Sequence, residues 1–598
     1  TNGEAICKIK KQNTEEIRMD KETMRQLLDV AQGSAPADTV IRNGKLINVF
    51  TENIEDNIAV VIKNGRIVSV EQDNGKASFL SNTEIDAEGS YLCPGFIDAH
   101  THIDNMFPFH EFAPFSLRGG TTTVITECAM TAGACGIKGI ESFIESTKGY
   151  PVRCFFVAPP MTPPFPRIES AASFTLREFS TLLKRDDFLG IGEAYWTRAV
   201  EGDNRILAQA ALAQSLNKRL DGHASGARGK RLTEYALTGI TSCHESVSLE
   251  EAMEKLRLGI YVMIREGFVR KELPELSKLK DMKVDKRRIM VVSDVFDAAM
   301  LWNEGYMDSL VKKAIKYGFT PMEAIKMATI NPADYHHLRY LGAIAPLRFA
   351  DILFLRSIED IIIEKVMFDG EVVVTGKTFL KNIKPFIFPE EMTRTVTINK
   401  LSENDFRVEA RAGVKQIRVL HIANPTITRE LVMDARVKNG YLEKDLENDV
   451  VPIAVINRRQ GKGMGKGFIK GTGIKSGAVA TTLIWDTCNI LTIGSSEKEM
   501  RDAVNRLIDI QGGIVIIRNG KVIYEFPMPV YGLIPLMTMK ESMNKTLEFD
   551  EKMRSIGTNL EKPFLTIQTI SFTGLPFLRI TDKGLVDIKN KQLMPLFV

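Results

Sequence analysis

The sequence predicts an α/β protein with a (β/α)8 TIM barrel inserted in a small β-sandwich domain, followed by a C-terminal α+β domain. Three observations lead to this fold class. With 598 residues, the chain is too long for one domain and suits two or three. Short apolar runs alternate with amphipathic segments over roughly 250 residues, the length that a (β/α)8 barrel needs. Strand-rich segments stand on both sides of this region, and a mixed region follows it.

The first and second segments are an N-terminal helix and a divided β domain. Residues 1–35 are charged and amphipathic, which is typical of a helical segment. Residues 36–93 and 341–385 are rich in strand-forming residues and predict one composite β domain around the barrel. Within it, Asn43-Gly44 and Asn64-Gly65 each predict a hairpin turn.

The barrel is predicted to span residues 94–340. Its strands are indicated by short apolar or β-branched runs, among them TTTVITE, VRCFFVAP, FLGIGEAY, RLDGHA, GITSCHE and RIMVVSD. Residues 391–598 form the C-terminal domain. There Asn519-Gly520 predicts a further hairpin, and SSEKEMRDAVNRLIDIQGG predicts a Ser-capped amphipathic helix.

The composition is ordinary for a globular protein and excludes several classes of function. Hydrophobic residues make up 44% and charged residues 26%. The net charge of +3 gives no electrostatic reason to expect nucleic acid, and no apolar run approaches the roughly 20 residues that span a bilayer. The charged N-terminus has no signal-peptide core, and the seven cysteines form no C-x-x-C pair. We therefore expect a cytoplasmic protein with reduced thiols and no membrane partner.

A candidate metal site begins with the two histidines of PGFIDAHTHID. His100 and His102 lie two residues apart near a strand end, so both should face the barrel mouth. Later strand ends carry further donors, namely Glu193, His223, His244 and Asp294. Imidazole and carboxylate donors suit zinc, manganese or iron, and paired metal ions generate a hydroxide nucleophile near neutral pH.

Each of these residues has a structural alternative when it is considered singly. Glu193 could be a solvent-facing residue at the end of a strand. Asp294 could be the N-cap of the helix that begins at DAAML. The order of the donors along successive barrel strands favours the metal site. We assign no role to the remaining histidines, which are His110, His336, His337 and His421.

Longer motifs carry a resemblance to a known family. GGTTTVITE, MATINPADY, GFIKGTGIKSGAVA and ITDKGLVDI closely resemble the adenine deaminases of the amidohydrolase superfamily, over nearly the whole chain after residue 35. The resemblance implies that His100 and His102 bind one metal ion together with Asp294. It also implies that His223 and His244 bind a second ion and that Glu193 bridges the two.

The chain departs from the family pattern around this site. The family motif DPHE appears here within TECAM, so Ala129 and Met130 replace a histidine and a glutamate. The motif HDSHN appears as WDTCN, with Trp485 and Cys488 in place of two histidines. Hydrolytic chemistry is therefore better supported than adenine as the substrate.

The leading hypothesis is hydrolytic deamination of adenine, to hypoxanthine and ammonia, or of a related aminated heterocycle. Asp294 is expected to take the proton of the hydroxide and pass it to the leaving ammonia, while Glu245 and Glu266 bind or protonate a ring nitrogen. The substrate-binding candidates are Asp104, Arg265, Asp486 and Asn489. Arg265 has a structural alternative as an ion-pair partner of Glu266.

The expected cofactors are two divalent transition-metal ions, with manganese or iron ahead of zinc. The expected assembly is a homodimer or a higher homo-oligomer. Two other functions stay open, which are hydrolysis of a cyclic or acyl amide and a non-catalytic role in binding a metal or ligand.

Overall fold

The computed structural model describes residues 19–73, 80–459 and 463–598. The part of the predicted N-terminal helical segment before residue 19 lies outside the described residues. Within them, a helix spans Lys21–Ala31, and the Asp20 side chain caps its first turn.

The strands and helices have the following bounds. The strands before the barrel are β1 (Ala37–Asn48), β2 (Asn53–Lys63), β3 (Arg66–Gln72), β4 (Ser81–Asp86) and β5 (Tyr91–Pro94). The barrel strands are β6 (Phe96–Thr101), β7 (Thr121–Glu127), β8 (Arg153–Ala158), β9 (Phe188–Tyr195), β10 (Arg219–His223), β11 (Ser242–Cys243), β12 (Tyr261–Arg265) and β13 (Ile289–Val292). After the barrel come β14 (Ile352–Ser357), β15 (Ile362–Phe368), β16 (Glu371–Thr375) and β17 (Thr378–Phe379). The C-terminal strands are β18 (Gln416–Asn424), β19 (Ile427–Asp434), β20 (Val437–Lys438), β21 (Tyr441–Leu442), β22 (Val450–Ile456), β23 (Met464–Lys470), β24 (Ala478–Thr481), β25 (Ile490–Gly494), β26 (Gly513–Arg518), β27 (Lys521–Pro527), β28 (Leu578–Thr581), β29 (Gly584–Asp587) and β30 (Gln592–Met594). The other α-helices are Phe109–Arg118, Ala129–Ser146, Leu176–Leu183, Trp196–Val200, Asn204–Ser215, Gly229–Ala236, Leu249–Arg257, Leu273–Leu276, Ala298–Asn303, Met307–Lys316, Pro321–Met327, Ile330–Tyr335, Glu390–Thr393, Glu497–Asp509, Met539–Ser555 and Pro563–Thr569.

The strands on both sides of the barrel belong to one nine-stranded sheet. Its order is β17-β16-β15-β14-β5-β1-β2-β3, and β4 also pairs with β1. Strand β5, just before the barrel, pairs with β14, just after it, so the two ends of the inserted region are joined by backbone hydrogen bonds.

One predicted hairpin of this sheet is wrong. Asn64-Gly65 forms the turn between β2 and β3, with left-handed φ values of 50° and 70°. Asn43-Gly44, however, lies inside β1, where the register with β2 shifts. Asn43 has a φ of 54°, and β1 changes its neighbour here from β4 to β5, so the pair forms a bulge at a bend in one long strand.

The barrel consists of eight parallel strands in chain order from β6 to β13. It closes between β6 and β13 through Asp294, whose N–H donates to the His100 carbonyl at 3.1 Å and whose carbonyl accepts from the His102 N–H at 2.9 Å. The predicted barrel is therefore confirmed, and its closing contact lies among the predicted metal ligands.

The C-terminal domain is built on an eight-stranded sheet of order β19-β18-β23-β22-β25-β24-β26-β27. Asn519-Gly520 forms the β26–β27 hairpin, and Ser496 caps the helix Glu497–Asp509, as the sequence predicts. Its apolar side chains join the same buried cluster as those of the barrel, Tyr531 and Phe549 with Phe107 and Phe112. No helix in the described part of the chain is long and apolar enough to cross a membrane.

Candidate active site

The six predicted metal ligands meet at the carboxyl ends of the barrel strands. They are His100 in β6, His102 just after it, Glu193 in β9, His223 at the end of β10, His244 just after β11 and Asp294 two residues beyond β13. Polar groups at these ends converge because all eight strands are parallel. The helix that follows β13 is capped by Asp297, so the alternative reading of Asp294 as that N-cap is wrong.

Glu193 lies at the centre of the cluster. Its Oε1 is 3.2 Å from His100 Nε2, 3.1 Å from His102 Nε2 and 3.4 Å from His244 Nε2. Its Oε2 is 2.7 Å from His223 Nδ1. One carboxylate therefore contacts all four imidazoles, with a different oxygen for His223.

The donors form two overlapping groups that suit divalent metal ions. Ligand atoms lie within 4.8 Å of one another in the first group, His100, His102, Glu193 and Asp294, and in the second, Glu193, His223 and His244. Neutral imidazole and carboxylate are the donors that borderline transition metals prefer. The residues fit a divalent metal site, with Glu193 common to both groups.

The cluster has the electrostatics of a cation site. Burial opposes the charged form of His102, but the hydrogen bond and charge of Glu193 raise its pKa to about 9. Burial also opposes ionisation of Glu193, yet His244 and His223 hold its pKa well below the usual range. Glu193 thus stabilises positive charge at His102, and the neighbouring imidazoles stabilise Glu193 as a carboxylate.

Asp294 adopts a backbone conformation that few non-glycine residues adopt, with a φ of 58°. Below it, the buried Asp98 carboxylate accepts hydrogen bonds from Ser293 Oγ at 2.5 Å and from Tyr306 Oη at 2.7 Å. Asp98 lies in β6 and Ser293 directly follows β13, the two strands that close the barrel. This network stabilises the position of Asp294.

A cavity lies beside the cluster of candidate metal donors, and both the barrel and the C-terminal domain form its wall. The barrel contributes His102, Asn105, Glu127, Met130, Met161, Tyr195, His223, His244, Glu245, Arg265 and Asp294 to its wall. The C-terminal domain contributes Thr426, Trp485, Asp486, Phe572 and Leu575. The cavity wall therefore combines the candidate metal donors with aromatic and thioether side chains.

Two predicted residues, Glu245 and Arg265, form a buried ion pair in this cavity. Arg265 also contacts Glu272 Oε1 at 2.9 Å and Asp294 Oδ2 at 3.4 Å, so its partners are Glu245, Glu272 and Asp294 rather than Glu266. Burial opposes ionisation of Glu245, but the charge of Arg265 lowers its pKa to about 2. Glu245 is thus a carboxylate that accepts hydrogen bonds.

Three other predicted residues do not line the cavity. Glu266 lies 3.5 Å from Lys313 Nζ on the outer side of the barrel. The Asp104 carboxylate accepts hydrogen bonds from the N–H and the hydroxyl of Thr131 at 2.8 and 3.0 Å. Asn489 donates to the Ser170 carbonyl at 2.8 Å. Asp104 and Asn489 support the loops around the cavity.

Two residues of the cavity wall, Glu127 and Tyr195, were not predicted as site residues from the sequence. The Glu127 carboxylate accepts the Glu193 N–H at 2.8 Å, and burial raises its pKa to about 8. Glu127 lies at the end of β7, and the same kind of position at a strand end predicts the candidate metal ligands. Tyr195 follows Glu193 by two residues on β9 and donates its hydroxyl to Asp486 Oδ2 at 2.9 Å.

Comparison with known proteins gives matches over most of the chain. The amidohydrolase family profile matches residues 91–373, and the profile of the adenine deaminase C-terminal domain matches residues 425–592. An adenine deaminase of Moorella thermoacetica is 36% identical over 587 residues, which cover 96% of this chain and 98% of that protein. An adenine deaminase of Staphylothermus marinus is 34% identical over 586 residues, with 95% and 97% covered.

Proposed function

The chain belongs to the adenine deaminase family of amidohydrolases, and on that premise we propose that it hydrolyses adenine to hypoxanthine and ammonia in this cavity. The observation that carries the proposal is the six-donor cluster in a chain that matches an adenine deaminase over 96% of its length. A small planar heterocycle suits the aromatic side chains beside that cluster.

We assign two divalent ions to the cluster, manganese or iron before zinc. His100, His102 and Asp294 would hold one ion, His223 and His244 the other, and Glu193 would bind both. Divalent metal ions in such a site lower the pKa of water and so supply a nucleophile near neutral pH.

Asp294 is positioned to move protons. Its Oδ1 lies 3.6 Å from His102 Nε2, while its Oδ2 lies 3.4 Å from Arg265 Nη1. Burial raises the pKa of Asp294, and the charge of Arg265 opposes that rise. A carboxylate in this balance accepts a proton from the attacking nucleophile and returns it to the departing ammonia.

The ion pair with Arg265 sets the role of Glu245. Because Arg265 keeps it ionised, Glu245 accepts a hydrogen bond from the substrate and does not donate a proton. Glu266 takes no part in the proposal, because it faces Lys313 and lies outside the cavity wall.

The deciding experiment is ammonia release from adenine and from a panel of cyclic and acyl amides, with manganese- or iron-loaded protein. We expect ammonia and hypoxanthine from adenine. Turnover of the amides without turnover of adenine would instead support the amide-hydrolase alternative. Less than one bound transition metal ion per chain after supplementation would favour a non-catalytic role.

A further inference from the structure

The C-terminal domain contributes a distinct part of the cavity wall. Its residues there are Thr426, Trp485, Asp486, Phe572 and Leu575, whereas all the metal donors come from the barrel. Asp486 is the carboxylic acid of this C-terminal group. The division separates the side chains that hold the metal from those available to select the substrate.

The loop that carries Asp486 is held tightly against the barrel. Asp486 and Cys488 both have left-handed φ values, 63° and 51°. The Cys488 thiol donates to the Met130 carbonyl at 3.2 Å. A Cβ added at Gly133 would lie only 1.8 Å from the Asp486 carbonyl oxygen, so loop and barrel helix touch without spare room. This packing makes the position of Asp486 rigid.

One oxygen of Asp486 is occupied and the other is available. Oδ2 accepts the Tyr195 hydroxyl at 2.9 Å, and Tyr195 lies on the strand that carries Glu193. Oδ1 has no hydrogen-bond donor among the described residues, and Asp486 lines the cavity. Tyr195 therefore orients a carboxylate whose second oxygen can accept a hydrogen bond from a ligand.

Aromatic rings stand beside this carboxylate. The Trp485 and Phe572 ring centroids are 5.1 Å apart with planes at 73°, and Trp485 Nε1 donates to Gln568 Oε1 at 3.3 Å. Flat apolar faces of this kind bind planar heterocycles, which leaves the edge of the ligand for polar groups.

We propose that the C-terminal domain supplies the substrate-recognition wall of the cavity, in which Asp486 accepts a hydrogen bond from the imidazole N–H of a purine base. This inference rests on the deamination of adenine proposed above. A purine substituted at an imidazole nitrogen, as in a nucleoside, has no such hydrogen to donate. A buried site built for a hydrogen bond rejects ligands that lack the matching group, so Asp486 selects free bases.

The test compares adenine with 9-methyladenine as substrates for the wild-type protein and for Asp486→Ala. We expect the variant to lose about 10- to 100-fold in kcat/KM for adenine, mainly through a higher KM. The value for 9-methyladenine should change little, so the preference for adenine collapses. Asp486→Asn keeps an acceptor oxygen and should restore part of that preference. Asp434→Ala removes an exposed carboxylate of the same domain and should leave both substrates unaffected.

Binding of adenine to metal-depleted protein separates this inference from the proposed function. Trp485 lines the cavity, so quenching of tryptophan fluorescence reports binding without turnover. Adenine binding that depends on Asp486, without ammonia release by the metal-loaded enzyme, supports the recognition wall and contradicts the deaminase activity. Ammonia release with KM and base preference unchanged in Asp486→Ala overturns the role of Asp486 alone.

Discussion

At the scale of single residues, Glu193 and Arg265 have complementary positions. Glu193 places one carboxylate among four imidazoles. Arg265 places one guanidinium among Glu245, Glu272 and Asp294. Asp294 contacts both sets, because its two oxygens face His102 and Arg265. Its charge is thereby balanced between the histidine and carboxylate cluster and a buried guanidinium, which suits a group that gains and loses a proton.

Replacing Asp294 tests that position. Asp294→Asn keeps the side-chain shape but cannot carry the proton, so ammonia release from adenine should fall by about 10²- to 10⁴-fold. The unfolding midpoint of the metal-free protein should change little, because Arg265 keeps its contacts with Glu245 and Glu272. Asp281→Asn, at a carboxylate that is 73% exposed, is the control and should retain full activity. A near-normal rate in Asp294→Asn would contradict the assignment.

The predictable part of the site consists of side chains whose positions follow from a strand end. His100, His223 and Asp294 each follow a short apolar run, so the sequence places them at one end of the barrel. The contact between Tyr195 and Asp486 spans 291 residues and two domains, and no local pattern encodes it. A position at a strand end does not by itself bring a side chain into the cavity. Neighbouring residues of a strand face opposite sides, and here Arg265 faces the cavity while Glu266 faces Lys313.

At the scale of elements, residues with left-handed backbone conformations shape two regions of the chain, the strand β1 and the loop 485–489. Asn-Gly at 43–44 has the composition of a hairpin but bends β1 between two partners, because strands on both sides continue the sheet. The loop 485–489 uses the same backbone conformation to place Asp486 in the cavity. The sequence therefore identifies where the chain turns more reliably than what the turn connects.

The contact between this loop and the barrel can be tested at Gly133. A methyl group at Gly133 would overlap the Asp486 carbonyl oxygen, so Gly133→Ala should displace the loop. We expect kcat/KM for adenine to fall roughly 10- to 100-fold, since small misplacements of binding groups are costly, while the metal content stays unchanged. Gly467→Ala is the matched control, because the nearest atom to its added Cβ is 3.6 Å away. Equal kinetics in both variants would show that the loop is not rigidly held.

At the scale of the whole molecule, two long-range arrangements produce the site. The nine-stranded sheet joins the chain before the barrel to the chain after it, and the C-terminal domain covers part of the barrel mouth. Repeated strand and helix patterns predict the composite β domain, the barrel and the C-terminal domain. The contacts between these regions depend on how their surfaces fit together, which a local sequence pattern does not describe. The homo-oligomer stays a prediction.

Metal loading should stabilise the molecule as a whole. An ion that binds only the folded chain adds about 2.7 kcal/mol of stability at a hundredfold excess over its Kd, so chelation should lower the unfolding midpoint and manganese should restore it. His244→Ala removes a proposed ligand and should shrink this metal-dependent shift. His421→Ala, in the C-terminal sheet, should preserve it. A shift that is the same in both variants would place the stabilising ion elsewhere.

The closing contact of the barrel has a consequence for the order of folding. Thr101 and Asp294 meet across 193 residues, so the seam between β6 and β13 forms only after a long chain segment has collapsed. His100 and His102 lie on one side of this seam and Asp294 on the other, so the first group of candidate donors is complete only when β6 and β13 are joined. We therefore expect a metal ion to bind the first donor group only when the barrel is closed, so that binding depends on the complete fold.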